Sequence, residues 1–304
     1  MVVISHLTGF HKIDQNLALE CSFGWVAVSV FFFYSGYGLM NGLEEKGELY
    51  WNDFLRRRIS KVLLPLFLFY GLYYICDILL HGTNLISFEK ILLIFFSDDP
   101  YLPYSWFVSW LLMIYMLFYI AGTWSCNCQI SFMKCFAFLF VILYLLILFS
   151  KMGPWVKVSI PCFLFGTIYR KNETRFLKIS TKTSIIVLFV SLFAFLISYN
   201  WIRICMVMGC SDKIVYSSVH LYGGNLAFVL FYIMLSKNIK ELNVQKIQLL
   251  DSSYELYLCQ GIVFMLVAIF VSDSYLYYLY CLIGCMLFGY FINRLFNVIF
   301  KRIR

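Results

Sequence analysis

Charge is what this chain has least of. Asp, Glu, Lys and Arg make up 13% of its 304 residues, while 62% are apolar. Soluble domains carry about 25% charged and roughly 45–50% apolar residues. A soluble fold of this length cannot hide so much apolar surface, so lipid must be the solvent for most of it. The mean hydropathy of +0.82 agrees. Linkers rich in Pro, Gly or Ser are missing, as are low-complexity tracts and heptad runs. That leaves one multi-pass domain over 1–304 with no soluble appendage. No internal repeat stands out, which argues against an inverted-repeat transporter. The 11 cysteines contain no CxxC pair, and most lie inside apolar stretches, as small apolar fillers do. Cys126-Asn-Cys128 lacks two further ligands at zinc spacing, so no metal is expected. The first residues have neither a basic n-region nor a small-residue cleavage site, which excludes a signal peptide.

What is present is a series of apolar stretches, near 23–42, 62–80, 102–124, 132–149, 155–169, 184–202, 215–235, 254–271 and 275–293. Each is close to the roughly 20 residues a bilayer core requires, and in lipid each must be helical, since unpaired backbone groups find no partners there. A further helix ends near Gly9, and only its last turns are in the chain. The expected fold is therefore an all-α membrane bundle of about ten helices, the first one truncated. With the N-terminus in the cytoplasm, the inner segments 43–61, 125–134, 170–182, 236–252 and 294–304 hold eighteen of the 24 Lys and Arg. That bias fits the positive-inside rule, with the bundle in the cytoplasmic membrane and both termini expected in the cytoplasm. The net charge of +8 then reports topology and affinity for anionic lipid; nucleic acid is not an expected partner, because the basic residues are spread over several short loops. Trp51-Asn-Asp-Phe-Leu-Arg-Arg-Arg58 reads as an interfacial segment with an aromatic and a basic face. Residues 85–96 read as a re-entrant or surface helix capping the bundle, followed by a turn at Asp98-Asp99-Pro100.

A few polar residues interrupt the apolar runs. His6 stands near the end of the first helix, in Met1-Val-Val-Ile-Ser-His-Leu-Thr. It reads either as a bonded histidine at the membrane–water boundary or as a general base, for which an imidazole starts with a suitable pKa. Arg56, Arg57, Arg58 and Lys61 read either as a lipid-anchored stop signal or as a clamp for a phosphorylated ligand such as coenzyme A. In Phe31-Phe-Phe-Tyr-Ser-Gly-Tyr-Gly38, Ser35 and Gly36 serve helix packing or narrow a substrate groove. Trp106 opens a span at the outer interface, the usual place of a belt anchor. Tyr254, Glu255 and Gln260 are polar within the apolar run Ser253-Tyr-Glu-Leu-Tyr-Leu-Cys-Gln260 and should face the bundle interior. Asp77, His81 and His220 read as satisfied interfacial residues.

These pieces, in this order, resemble the acyltransferase 3 family of bacterial integral-membrane O-acyltransferases, over nearly the whole chain. His6 is similar to that family's first-helix histidine. Gly24-Trp-Val-Ala-Val-Ser-Val-Phe-Phe-Phe-Tyr-Ser-Gly-Tyr-Gly38 matches its second helix. Residues 54–65 look like its basic approach to the third helix, Trp106-Phe107 like the start of its fourth, Phe163-Leu-Phe-Gly166 like its sixth-helix motif, and 253–260 like the start of its ninth. Two features depart from the pattern: a basic residue three turns before the histidine would precede Met1, and the usual Arg-x-x-Arg reads Arg58-Ile-Ser-Lys61. The resemblance implies ten helices and an acyl-CoA co-substrate, most simply acetyl-CoA, with no permanently bound cofactor. It implies transfer to a hydroxyl of a surface polysaccharide or its lipid-linked precursor. His6 would then be the catalytic residue, with Arg57, Arg58 and Lys61 at the acyl-CoA. Ser35 or a Tyr hydroxyl is open as the oxyanion donor. The competing classes are a polysaccharide transporter or flippase and a non-catalytic membrane subunit. A homodimer is a further partner left open.

Overall fold

The computed structural model describes residues 2–10, 24–82, 100–209, 219–239, 252–271 and 274–303. The expected re-entrant segment 85–96 and most of the turn at 98–100 lie outside these residues, and so does the His81 side chain.

The described residues are mostly helical, with no strand among them. We number the helices α1 (Val2–Phe10), α2 (Gly24–Lys46), α3 (Ser60–His81), α4 (Trp106–Cys128), α5 (Phe132–Phe149), α6 (Pro154–Ser159), α7 (Pro161–Lys171) and α8 (Glu173–Leu177). They continue with α9 (Thr181–Tyr199), α10 (Trp201–Val207), α11 (Val219–Asn238), α12 (Ser253–Phe270) and α13 (Ser274–Ile303). Among the described residues, seven helical stretches are long and apolar enough to cross a membrane; they run along α2, α3, α4, α5, α9, α12 and α13. Seven of the ten expected spans are thus present in that form. Of the other three, α1 has nine residues, α11 has twenty, and the stretch 155–169 is divided into α6 and α7. Pro161 explains the division: it has no N–H to continue α6, yet it suits the first position of α7.

Many large apolar side chains face outward, including Phe149 at 88% exposure and Phe193 at 66%. Patches of this extent do not persist in water, and here they face lipid. Association inside lipid then depends on close packing and on polar bonds between helices.

The chain forms two compact units, one of residues 1–24, 53–123 and 244–304, the other of 25–52 and 124–243. In the first, α12 packs along α13. The Tyr277 hydroxyl donates to the Phe264 carbonyl at 3.2 Å, and the Cys259 thiol reaches the Cys285 carbonyl at 3.6 Å. A side chain on Gly289 would meet the Leu256 backbone at 2.8 Å.

In the second unit, α2 crosses α7 at two glycines. A β-carbon on Gly36 would lie 2.1 Å from the Phe163 carbonyl oxygen, and one on Gly166 2.0 Å from that of Phe33. Buried Ser29 and Ser159 share a 3.1 Å hydrogen bond. Where α2 ends, the Arg170 guanidinium pairs with Glu44 (3.1 Å) and Glu173 (3.0 Å) and donates to the Asn41 amide oxygen (2.7 Å). Helix α9 starts at a serine cap, in which Ser180 Oγ accepts from the Thr183 N–H at 3.1 Å. Lys237 donates to the carbonyls of Phe176 and Ile179, groups left over where α8 ends.

Candidate active site

In the first unit, α1 brings His6 against α12. The imidazole Nδ1 lies 3.0 Å from Oε1 of Gln260, whose side chain is fully buried. An amide oxygen only accepts, so Nδ1 carries the proton, and Nε2 of the neutral ring keeps its lone pair. On the Nε2 side stands Gly24, the first residue of α2. A β-carbon there would sit 3.7 Å from Nε2. The Gly24 N–H donates to Ser5 Oγ at 3.0 Å, one residue before the histidine. Glycine thus adds no side chain on the Nε2 side. Gln260 Nε2 is buried with no partner among the described residues, an N–H that the fold leaves unspent.

The bond to Gln260 is common to both readings of His6. Gln260 is the eighth residue of an 18-residue helix, so the imidazole lies beside the middle of α12. The turn at 100–105 also meets the imidazole. There the Tyr104 ring stacks on the imidazole with centroids 3.7 Å apart and planes 7° from parallel. Tyr257 presents its edge to His6 at 6.2 Å.

The basic run occupies a single π-helical turn, Leu55–Ile59, at the start of α3. Such turns are rare and frequent at functional sites. Arg56, Arg57 and Lys61 are exposed and Arg58 half-exposed. Arg57 pairs with Asp53 at 2.8 Å in an open setting, which holds its direction more than it stabilises the fold. Phe54, just before the turn, is buried against Phe118 and Tyr119. The Tyr254 hydroxyl donates to the carbonyl of Val62, next to Lys61, at 2.8 Å. Tyr254 and Gln260 are six residues apart on α12, a rise of about 9 Å. One helix therefore connects the foot of the basic turn to the imidazole.

The remaining candidates divide. Glu255 is buried and accepts from the Asn293 amide at 3.1 Å, which ties α12 to α13. Trp106 is buried at the start of α4 and is no exposed belt anchor. In the second unit, the Gly36 contact is one of packing, and Ser35 is half-exposed. Asp77 accepts from the Tyr101 hydroxyl at 2.7 Å, as a satisfied residue should. Burial and that bond push the Tyr101 phenol above its usual range. Cys126 and Cys128 are exposed free thiols, and no three His, Cys, Asp or Glu side chains converge as metal ligands among the described residues. Sequence reasoning missed Tyr104 entirely, and it had Gly24 only as part of a motif.

The geometry has the parts of a base-catalysed transfer. The sequence model of a family described as an acyltransferase domain matches residues 1–275. The chain belongs to the acyltransferase 3 family. Its helices and this domain make it a membrane acyltransferase. No curated protein and no solved structure matches the chain significantly.

Proposed function

We propose that this acyltransferase moves an acetyl group from cytoplasmic acetyl-CoA to a hydroxyl of a surface polysaccharide or its lipid-linked precursor. One observation carries the reading: Gln260 occupies Nδ1 of His6, which makes Nε2 the acceptor of a proton. His6 Nε2 takes the proton of the acceptor hydroxyl as its oxygen attacks the thioester carbonyl. The tetrahedral intermediate collapses, the carbon–sulfur bond breaks, and the imidazolium returns the proton to the departing thiolate. The products are the ester and free coenzyme A. General-base catalysis of this kind supplies about 10²–10⁴-fold, and holding the two substrates together supplies much of the rest.

Arg57, Arg58 and Lys61 hold the coenzyme's phosphates at the inner face. Guanidinium forks match phosphate oxygens, and the ammonium adds a point charge. The thioester then extends along α12 toward His6. The topology that goes with this reading has ten spans with both termini inside.

The test uses inverted membrane vesicles supplied with labelled acetyl-CoA, with mass spectrometry of surface glycans from wild-type, deletion and His6→Ala cells. Label transfer by the wild type and loss of acetylation in both altered strains are expected. Normal glycan acetylation by a well-inserted His6→Ala protein would remove His6 from the mechanism. Absence of transfer from acetyl-CoA would remove the donor.

A further inference from the structure

The imidazole is held on three sides, and the third holder is a residue in an unfavourable conformation. Tyr104 has φ of +69°, in the left-handed region that side chains other than Gly, Asn and Asp rarely adopt. The turn around it is pinned on both sides. The Tyr257 hydroxyl donates to the Tyr104 carbonyl. Pro103 lies against Gly261, where a side chain would meet its ring at 3.2 Å. Ser105 Oγ and the Tyr70 hydroxyl are 2.9 Å apart, and Leu102 and Ser105 are buried. Strain kept in place by this many contacts is a feature of functional sites. Its consequence is visible: the backbone twist lays the Tyr104 ring flat on the imidazole.

We propose that Tyr104 is the positioning residue for His6, a flat wall that fixes the plane of the imidazole while Gln260 fixes its rotation about that plane. Gln260 alone would let the ring pivot around a single hydrogen bond. With one ring face covered, Nε2 is held toward the side where Gly24 adds no side chain. The proposal deepens the reading of His6 as the base and rests on it. The Tyr104 hydroxyl also reaches the His6 carbonyl, at 3.5 Å, the far limit of a hydrogen bond, so the stacked ring carries the positioning.

Tyr104→Gly removes the ring and suits the left-handed backbone, so it isolates the wall from the turn. Tyr104→Phe keeps the wall, and Tyr104→Leu serves as a second ring deletion. In vesicles, Tyr104→Gly should lower kcat by about 10- to 100-fold, the scale of a misplaced catalytic group, with the acetyl-CoA KM within about twofold. Tyr104→Phe should stay near wild type. A second readout needs no activity. Diethyl pyrocarbonate should modify His6 several-fold faster in Tyr104→Gly than in wild type or Tyr104→Phe, followed by mass spectrometry of the first peptide.

Equal carbethoxylation rates in all three proteins, or a Tyr104→Gly enzyme with unchanged kcat, would overturn the proposal. So would a Tyr104→Phe protein as impaired as Tyr104→Gly. A wild-type protein that transfers no acetyl group sinks the reading of the function instead, and the carbethoxylation rates still decide the wall.

Discussion

A histidine with one nitrogen on an amide oxygen and the other beside a glycine already has its tautomer chosen. The consequence belongs to Gln260. Gln260→Leu removes the acceptor and leaves Nδ1–H buried without a partner, at a cost of about 1–1.5 kcal/mol in orienting the base. That corresponds to roughly tenfold in kcat. Gln260→Glu keeps an acceptor at the same reach, so it should retain far more activity than Gln260→Leu. A steady-state comparison of both variants in vesicles checks this order. If Gln260→Leu proves the better enzyme, Nδ1 is not held as described.

At the scale of elements, one helix start and one crossing matter. The π-helical turn at Leu55–Ile59 carries Arg57 and Arg58, and Lys61 follows at once. Replacing Arg57 and Arg58 together with Ala should raise the KM for acetyl-CoA at least tenfold and change kcat little, since the phosphates are remote from the bond that breaks. Titration of acetyl-CoA against rate reads this directly; an unchanged KM would assign the turn to lipid headgroups. The α2–α7 crossing makes a different forecast. Gly166→Ala puts a methyl 2.0 Å from a backbone oxygen that cannot move aside cheaply. A loss of about 1–3 kcal/mol follows from such overpacking. It should appear as a lower Tm of the purified protein in detergent. A groove role for Gly36 predicts the contrary for Gly36→Ala, a stable protein with impaired acceptor use.

For the whole molecule the open quantity is direction across the membrane. Cys126 and Cys128 are exposed at the α4–α5 turn, which the proposed topology assigns to the cytoplasm. In a protein carrying Cys128 as its sole cysteine, a membrane-impermeant maleimide should label inverted vesicles and spare intact cells. The reverse pattern would move the basic turn outside and leave the proposed donor with no access. Each unit has its own polar fastening. Tyr254, Glu255 and Gln260 tie the first together, and Arg170 gathers Asn41, Glu44 and Glu173 in the second.

The residues alone determined the solvent, the helical class and the family motifs, because these follow from composition and local spacing. Apolar runs must be helices in lipid whatever their neighbours are. Gln260 was also legible, since a polar side chain in an apolar run has to face inward. What only the tertiary structure decided is the company of each side chain. Nothing in Pro103-Tyr104-Ser105 announces a positive φ, because tyrosine has no local preference for it. That conformation exists because Tyr257, Gly261 and Tyr70, distant in sequence, hold the turn. Gly36 was read as either groove or packing, and only the structure brings the carbonyl of Phe163 against it. Long-range contacts of this kind depend on which helices meet, and helix meeting is decided by the fit of whole surfaces.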